Sequence, residues 1–239
     1  MKKGTKVRLG IFDIDGTIFR SNLFFELFHA LIERGIFPKR AKKEIEKHYL
    51  SWFHRMGEYD SYKNEIIRLQ KKYIKGKKKR DIDAIAENIV SSQKNKVYRF
   101  TRDLIRRLKK ENYHLVAVSG SHDFMVRRFS AHFGFDASFG SISMIQKGRF
   151  TGELDLESLN DKNLVLKKFA EKSNLIIDWE NSVGVGDTEN DIRFLEMVGH
   201  PIAFNPNAAL ARHAKKKKWS IIVERKDVIY ELKDFLFKQ

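Results

Sequence analysis

Leu9-Gly10-Ile11-Phe12-Asp13-Ile14-Asp15-Gly16-Thr17 is an apolar run that ends in two carboxylates two residues apart. The run reads as a buried strand bounded by acidic residues and glycine. Carboxylates that close, just past the carboxyl end of a strand, repel each other and call for a cation. In an open α/β sheet that is also the edge where ligands bind. A second acidic group, Asp187 and Asp191 in Val183-Gly184-Val185-Gly186-Asp187-Thr188-Glu189-Asn190-Asp191, follows another short apolar run. Two such strand-end clusters read as the two halves of a magnesium site.

Outward from the first strand the pattern changes. From Ser21 to about Lys96, Leu23, Phe24, Leu27, Phe28, Leu31 and Ile32 recur at helical spacing, and amphipathic stretches follow at 45–53, 62–74 and 82–90. Alternation of strands and helices then resumes. Helices are expected at 98–110, 123–133, 161–172, 190–197, 208–215 and 228–237, and strands at 114–118, 137–139, 182–185, 201–204 and 221–223. A hairpin over 141–154 turns at Lys147-Gly148. This predicts a doubly wound, mostly parallel α/β sheet, Rossmann-like, with an inserted all-helical cap domain at 21–96 and a core domain made of 1–20 and 97–239.

The chain of 239 residues carries 47 Lys and Arg against 31 Asp and Glu, a net charge of +16, and no cysteine. That excludes disulfides and thiolate chemistry and fits a reducing cytoplasm. The basic start is not a signal peptide, and no stretch has the length of a membrane span. Most of the excess charge lies in runs such as Lys77-Lys78-Lys79-Arg80 and Lys215-Lys216-Lys217-Lys218, without interleaved aromatics. They read as solvated surface first, with nucleic-acid binding as the lesser alternative. Phe24, Phe25, Phe28, Phe37, Trp52, Phe53 and Tyr62 in the helical block read as core rather than as a pocket for an apolar substrate. His29, His48 and His54 form no metal-ligand spacing. Trp179 and Trp219 read as core or surface anchors.

Four clusters carry the chemistry: Asp13-Ile14-Asp15-Gly16-Thr17, Ser119-Gly120, Lys162 beside Asp161, and Asp187 with Asp191. Each is weak alone; their order and strand-end placement make the set specific. In that order they resemble the haloacid dehalogenase superfamily of phosphohydrolases. The helical insertion, Gly148-Arg149-Phe150-Thr151-Gly152-Glu153 and Asn205-Pro206 resemble its phosphoserine-phosphatase-like branch.

The resemblance implies a Mg²⁺-dependent phosphomonoesterase acting on a small phosphorylated metabolite. Mg²⁺ would lie on Asp13, Asp187 and the backbone carbonyl of Asp15, with Asp191 beside it. Asp13 would be the nucleophile that forms an aspartyl-phosphate, and Asp15 the general acid and then base. Ser119, Gly120, Gly16, Thr17 and Lys162 would bind the phosphoryl group, with Lys167 or Lys168 as alternatives to Lys162. Asp191 would orient Lys162 or a metal-bound water. Arg20 would pair with an anionic substrate group or stand as a solvated hinge residue. Asn22 occupies the position where phosphoserine phosphatases carry a glutamate for the substrate amine, and Ser121 replaces their second glycine, so phosphoserine is expected to be a poor substrate. Transfer of the phosphoryl group to an acceptor alcohol, or a nucleic-acid-associated phosphatase or binding protein, are the alternatives. Oligomeric state is not legible.

Overall fold

The computed structural model describes residues 6–155, 162–173 and 175–232. A seven-stranded sheet runs β11-β10-β9-β8-β2-β3-β4, formed by Leu9–Phe12 (β2), His114–His122 (β3), Ala137–Ser141 (β4), Val183–Gly186 (β8), His200–Phe204 (β9), Ser220–Arg225 (β10) and Val228–Glu231 (β11). All neighbours are parallel except β10 and β11. Lys6–Val7 (β1) pairs with Ile176–Ile177 (β7), two segments too short for any periodicity to reveal. Ser143–Gln146 (β5) and Arg149–Leu154 (β6) form the expected hairpin, whose Lys147 and Gly148 both have positive φ, 48° and 72°. That is the twist a two-residue hairpin turn needs.

Period-two alternation splits the core into two layers. Leu9 and Ile11 of β2 and Val116 and Val118 of β3 pack with Leu166, Phe194, Leu195, Leu210 and Ala214. Those partners come from the helices Lys162–Lys172 (α7), Ile192–Leu195 (α8) and Ala208–Lys217 (α9). Phe12, Leu115 and Ala117 face the opposite way, onto Leu104, Ile105 and Leu108 of Arg99–Lys110 (α5) and Met125, Val126 and Phe129 of Asp123–Phe133 (α6). Between β2 and α5 lie four helices, Leu23–Glu33 (α1), Arg40–Phe53 (α2), Tyr59–Ile74 (α3) and Lys79–Gln93 (α4). Their buried Leu27, Phe28, Leu31, Ile66 and Ile82 join the same apolar cluster as Phe12. Both Trp179 and Trp219 pack, partly buried, against the first layer.

The structure corrects several expectations. Residues 228–231 are a strand, not the start of a helix. The β-branched and aromatic Val228, Ile229 and Tyr230 pair with Arg225, Glu224 and Val223, and Lys226 makes the turn at φ 54°; residues 233–237 lie outside the described ones. The helix expected at 190–197 is a 3₁₀ turn, Glu189–Asp191, followed by the short α8. Thr188 and Asp191 form a capping box there that tightens the first turn. Strand β3 does not stop at Val118. It continues through Ser119, Gly120 and Ser121 to His122, which pairs with Ser141 after a register shift. Asp161 lies outside the described residues, and α7 opens at Lys162. Among the described residues no helix is long and apolar enough to cross a membrane.

Ile11 is fully buried in the central strand. Ile11→Ala is expected to lower the unfolding free energy by about 2–5 kcal/mol, lost burial plus the cavity left behind. Chemical denaturation measures this, and a loss under about 1 kcal/mol would mean that the strand is not the packed centre.

Candidate active site

Strand register brings the clusters together. Phe12 lies opposite Val185 on one side and Ala117 on the other. One residue beyond Phe12 is Asp13, and two beyond its partners are Asp187 and Ser119, so all three lie side by side at one end of the sheet. The Asp13 N–H donates to the Val185 carbonyl at 2.9 Å and holds the chain in that register past the end of β2.

Asp13 and Asp191 are buried. With Asp187 they place carboxylate oxygens within 4.8 Å of one another. The Lys162 ammonium lies between two of them, 2.5 Å from Asp13 Oδ1 and 2.6 Å from Asp191 Oδ1. Asp191 Oδ2 accepts from the backbone N–H of Asp187 and of Thr188, both at 3.0 Å. Thr17 Oγ1 donates to Asp187 Oδ1 at 3.3 Å. Gly16 has φ 87°, and a Cβ there would fall 2.2 Å from Asp187 Oδ2, so only glycine lets this turn approach that carboxylate.

Asp15 turns away from this triad. Its Oδ2 accepts from Ser119 Oγ at 2.5 Å and Ser121 Oγ at 2.7 Å, and its Oδ1 from the N–H of Leu23 at 2.6 Å. The Asp15 side chain is therefore not part of the acidic cluster. Ser121 is the residue that sequence reasoning missed: its hydroxyl also accepts from the Phe24 N–H at 3.0 Å, joining the strand end to α1. Only its departure from glycine could have signalled this. His122, next along, is buried between Phe24 and Phe124, with ring centroids 4.8 and 5.2 Å away, and burial pushes its imidazole down to about 4.

The remaining expected residues fall in less central places. Gly120 is exposed, and its carbonyl accepts from Ser141 Oγ at 2.8 Å. Arg20 is exposed, its guanidinium 5.6 Å from the centre of the Tyr98 ring. Asn22 caps α1, accepting from the Phe25 N–H at 3.2 Å. The ammonium that reaches Asp13 is that of Lys162, whereas Lys167 is exposed.

Burial dominates the electrostatics. It raises Asp13 to about 7, against the opposing pull of Lys162 and with help from Asp191 and Asp15. Burial and then Asp13 push Asp187 well above the usual carboxylate range. Asp15 is raised by burial too, against the hydrogen bonds of Ser119, Leu23 and Ser121. Burial alone would lower the Lys162 ammonium, but Asp13 and Asp191 outweigh it and raise it. Three carboxylates thus share one ammonium, and Asp13 Oδ2 is buried with no hydrogen-bond partner. An all-oxygen donor set with uncompensated negative charge suits a small hard dication.

The fold and this strand-end acid centre define an α/β protein with a Rossmann-like sheet and a buried acidic site suited to a cation. Residues 11–196 match the haloacid dehalogenase-like hydrolase family. The chain belongs to that family, and phosphoserine phosphatases are among its relatives. It is 32% identical over 128 residues to a phosphoserine phosphatase of Methanocaldococcus jannaschii, a match covering 53% of this chain and 57% of that protein. It is 28% identical to one from Archaeoglobus fulgidus, covering 85% and 54%. The chain thus spans little more than half the length of these two relatives. A histidinol-phosphatase of Neisseria meningitidis is 22% identical, covering 90% and 97%. Among solved structures, a Bordetella pertussis protein of unknown function superposes with TM-score 0.71 at 19% identity, covering 91% and 98%. A phospho-aspartyl intermediate analogue of phosphoserine phosphatase gives 0.59 at 23%, covering 93% and 96%.

Between pH 4 and 7 the folded protein keeps a proton on Asp13 that the unfolded chain has released, so without divalent cation this group's contribution to stability falls as pH rises through that window. A cation competes with the same protons. Mg²⁺ is expected to raise Tm more at pH 8 than at pH 5 in differential scanning fluorimetry, and an equal shift at both would contradict the acidic-triad site.

Proposed function

We propose that the protein is a Mg²⁺-dependent phosphomonoesterase that hydrolyses a small phosphorylated metabolite through an aspartyl-phosphate on Asp13. The observation that carries this reading is the Lys162 ammonium bridging Asp13 and Asp191, with Asp187 alongside and Asp15 held apart by Ser119. Family membership and the phosphatase activity of its relatives support it.

The site would hold Mg²⁺ on Asp13 and Asp187, with Asp191 next to them, and as in the family on the backbone carbonyl of Asp15. Bound there, the cation supplies positive charge that neutralises the phosphate and lets an anionic nucleophile approach. The chain's own residues do the rest. An Asp13 carboxylate oxygen attacks phosphorus in line, and the bond from phosphorus to the ester oxygen breaks. Asp15, its pKa raised by burial, protonates the departing alkoxide. The carboxylate left on Asp15 then takes a proton from water. That water attacks phosphorus, releases inorganic phosphate and regenerates both aspartates. Lys162 and Ser119, with the amide of Gly120, would stabilise the phosphoryl oxygens as charge builds on them. Lys162 and Asp191 hold Asp13 in position beforehand.

The four-helix insertion, 21–96, acts in this reading as a cap that closes on the substrate and excludes water. Phosphoserine itself is disfavoured, because Asn22 offers no charge to an amine and is engaged as a helix cap.

Phosphate release with Mg²⁺ and with chelator tests the reading. Asp13→Asn is expected to lose turnover by roughly a thousand-fold or more while keeping the wild-type far-UV spectrum. Near-normal turnover by that variant would refute the mechanism. Phosphoserine is expected to show a kcat/KM far below that of the best ester in a metabolite panel.

A further inference from the structure

Six aromatic rings form a continuous wall on the helical block. Phe25 lies 5.3 Å from Tyr62 and 6.0 Å from Tyr59, centre to centre. Trp52 stacks on Tyr62 at 5.6 Å with planes 8° apart and approaches Tyr59 at 5.5 Å. Tyr49 stacks on Phe53 at 5.6 Å and contacts Tyr62 at the same distance. Not all of this is core, and Phe53, expected there from its helical spacing, is not. Phe53 is 59% exposed, and Tyr49 and Tyr59 are 37% and 38% exposed. Rings left open to water cost free energy unless something covers them in function.

The wall is continuous with the catalytic centre. It begins at Phe25, in the first turn of α1, the helix whose Leu23 and Phe24 amides bind Asp15 and Ser121. Tyr59, whose ring is 6.0 Å from that of Phe25, lies at this same end; after burial, the charges of Asp15 and Asp187 push its hydroxyl up. The charged side chains closest in sequence to the start of α1 are engaged elsewhere. Glu26 accepts from Ser21, Gln93 and Lys96, and Arg20 lies against Tyr98.

We propose that this wall is the subsite for the alcohol part of the substrate, and that the alcohol carries an aromatic or heteroaromatic ring rather than a charged amino-acid group. The inference rests on the phosphomonoesterase reading above and supplies the substrate class that it leaves open. Tyr59 and Phe53, exposed and at the edge of the wall, act as specificity residues that cover one face of the ring.

Binding and turnover separate the two ideas. Calorimetric titration of the Mg²⁺-loaded protein with 2-phenylethylphosphonate, ethylphosphonate and 2-aminoethylphosphonate reads the subsite without any turnover. The phenyl compound is expected to bind at least about tenfold tighter than the other two. Tyr59→Leu and, separately, Phe53→Ala are expected to shrink that ratio to within about threefold. Equal affinities for all three phosphonates, or a ratio untouched in both variants, would overturn the proposal. Phosphate release from 2-phenylethyl phosphate and ethyl phosphate, which share a primary alkoxide leaving group, is read in parallel. Its complete absence alongside ring-selective binding would sink the esterase reading and leave the aromatic subsite standing.

Discussion

Mutual repulsion among the buried Asp13 and Asp191 and the half-buried Asp187, with the Lys162 ammonium between the first two, is the constraint around which the rest is arranged. Burying carboxylates costs free energy unless each is paired, and Lys162 can balance only part of three charges. The chain meets the remainder with protons at low pH, as the raised Asp13 and Asp187 show. It also aims backbone N–H groups and the Thr17 hydroxyl at the carboxylates. What is left over is an electrostatic demand for a cation. A folded protein keeps such an expense only where the charge has work to do.

Sheet order turns that demand into geometry. With β2 between β3 and β8, Asp13, Ser119 and Asp187 come to lie side by side, although Ser119 is 106 residues from Asp13 along the chain and Asp187 a further 68. Parallel pairing points every strand end the same way, so a one-residue register slip would turn the Asp13 side chain to the wrong face. Gly16 then allows the turn after β2 to pass close to Asp187.

The helical block is tied to this edge by hydrogen bonds. Asp15 accepts from the first amide of α1, and Ser121 bridges the same carboxylate to the next amide. His122 extends the link, packed between Phe24 and Phe124, with its ring nitrogens near Gln70 of α3 and Ser143 of β5. One helix thus binds Asp15, the proposed acid, and carries Phe25, the first ring of a wall whose other rings lie on α2 and α3. That coupling is the physical reason for expecting the insertion to influence both turnover and the choice of alcohol.

Strand 9–12, the helical run that interrupts the alternation, the hairpin turn and the acidic residues were legible in the chain because each has a local cause: apolar periodicity, a turn needing positive φ, or charges too close to be idle. Lys162 could be singled out among so many lysines only through resemblance, since nothing local distinguishes it from Lys167. The strand at 228–231 was misread because four residues of Val, Ile, Tyr and Glu fit either a short helix or an edge strand until β10 provides a partner. Ser121 and the exposed face of Phe53 were invisible for the same kind of reason. A hydroxyl gains meaning only when Asp15 and an α1 amide come within reach, and an aromatic at helical spacing counts as core only if another element covers it. By itself the sequence determined where carboxylates crowd at strand ends and where most strands and helices propagate, because those are short-range properties. Tertiary structure decided which charges meet, which lysine reaches Asp13 and which rings stay open, because contacts between distant residues depend on strand order and packing.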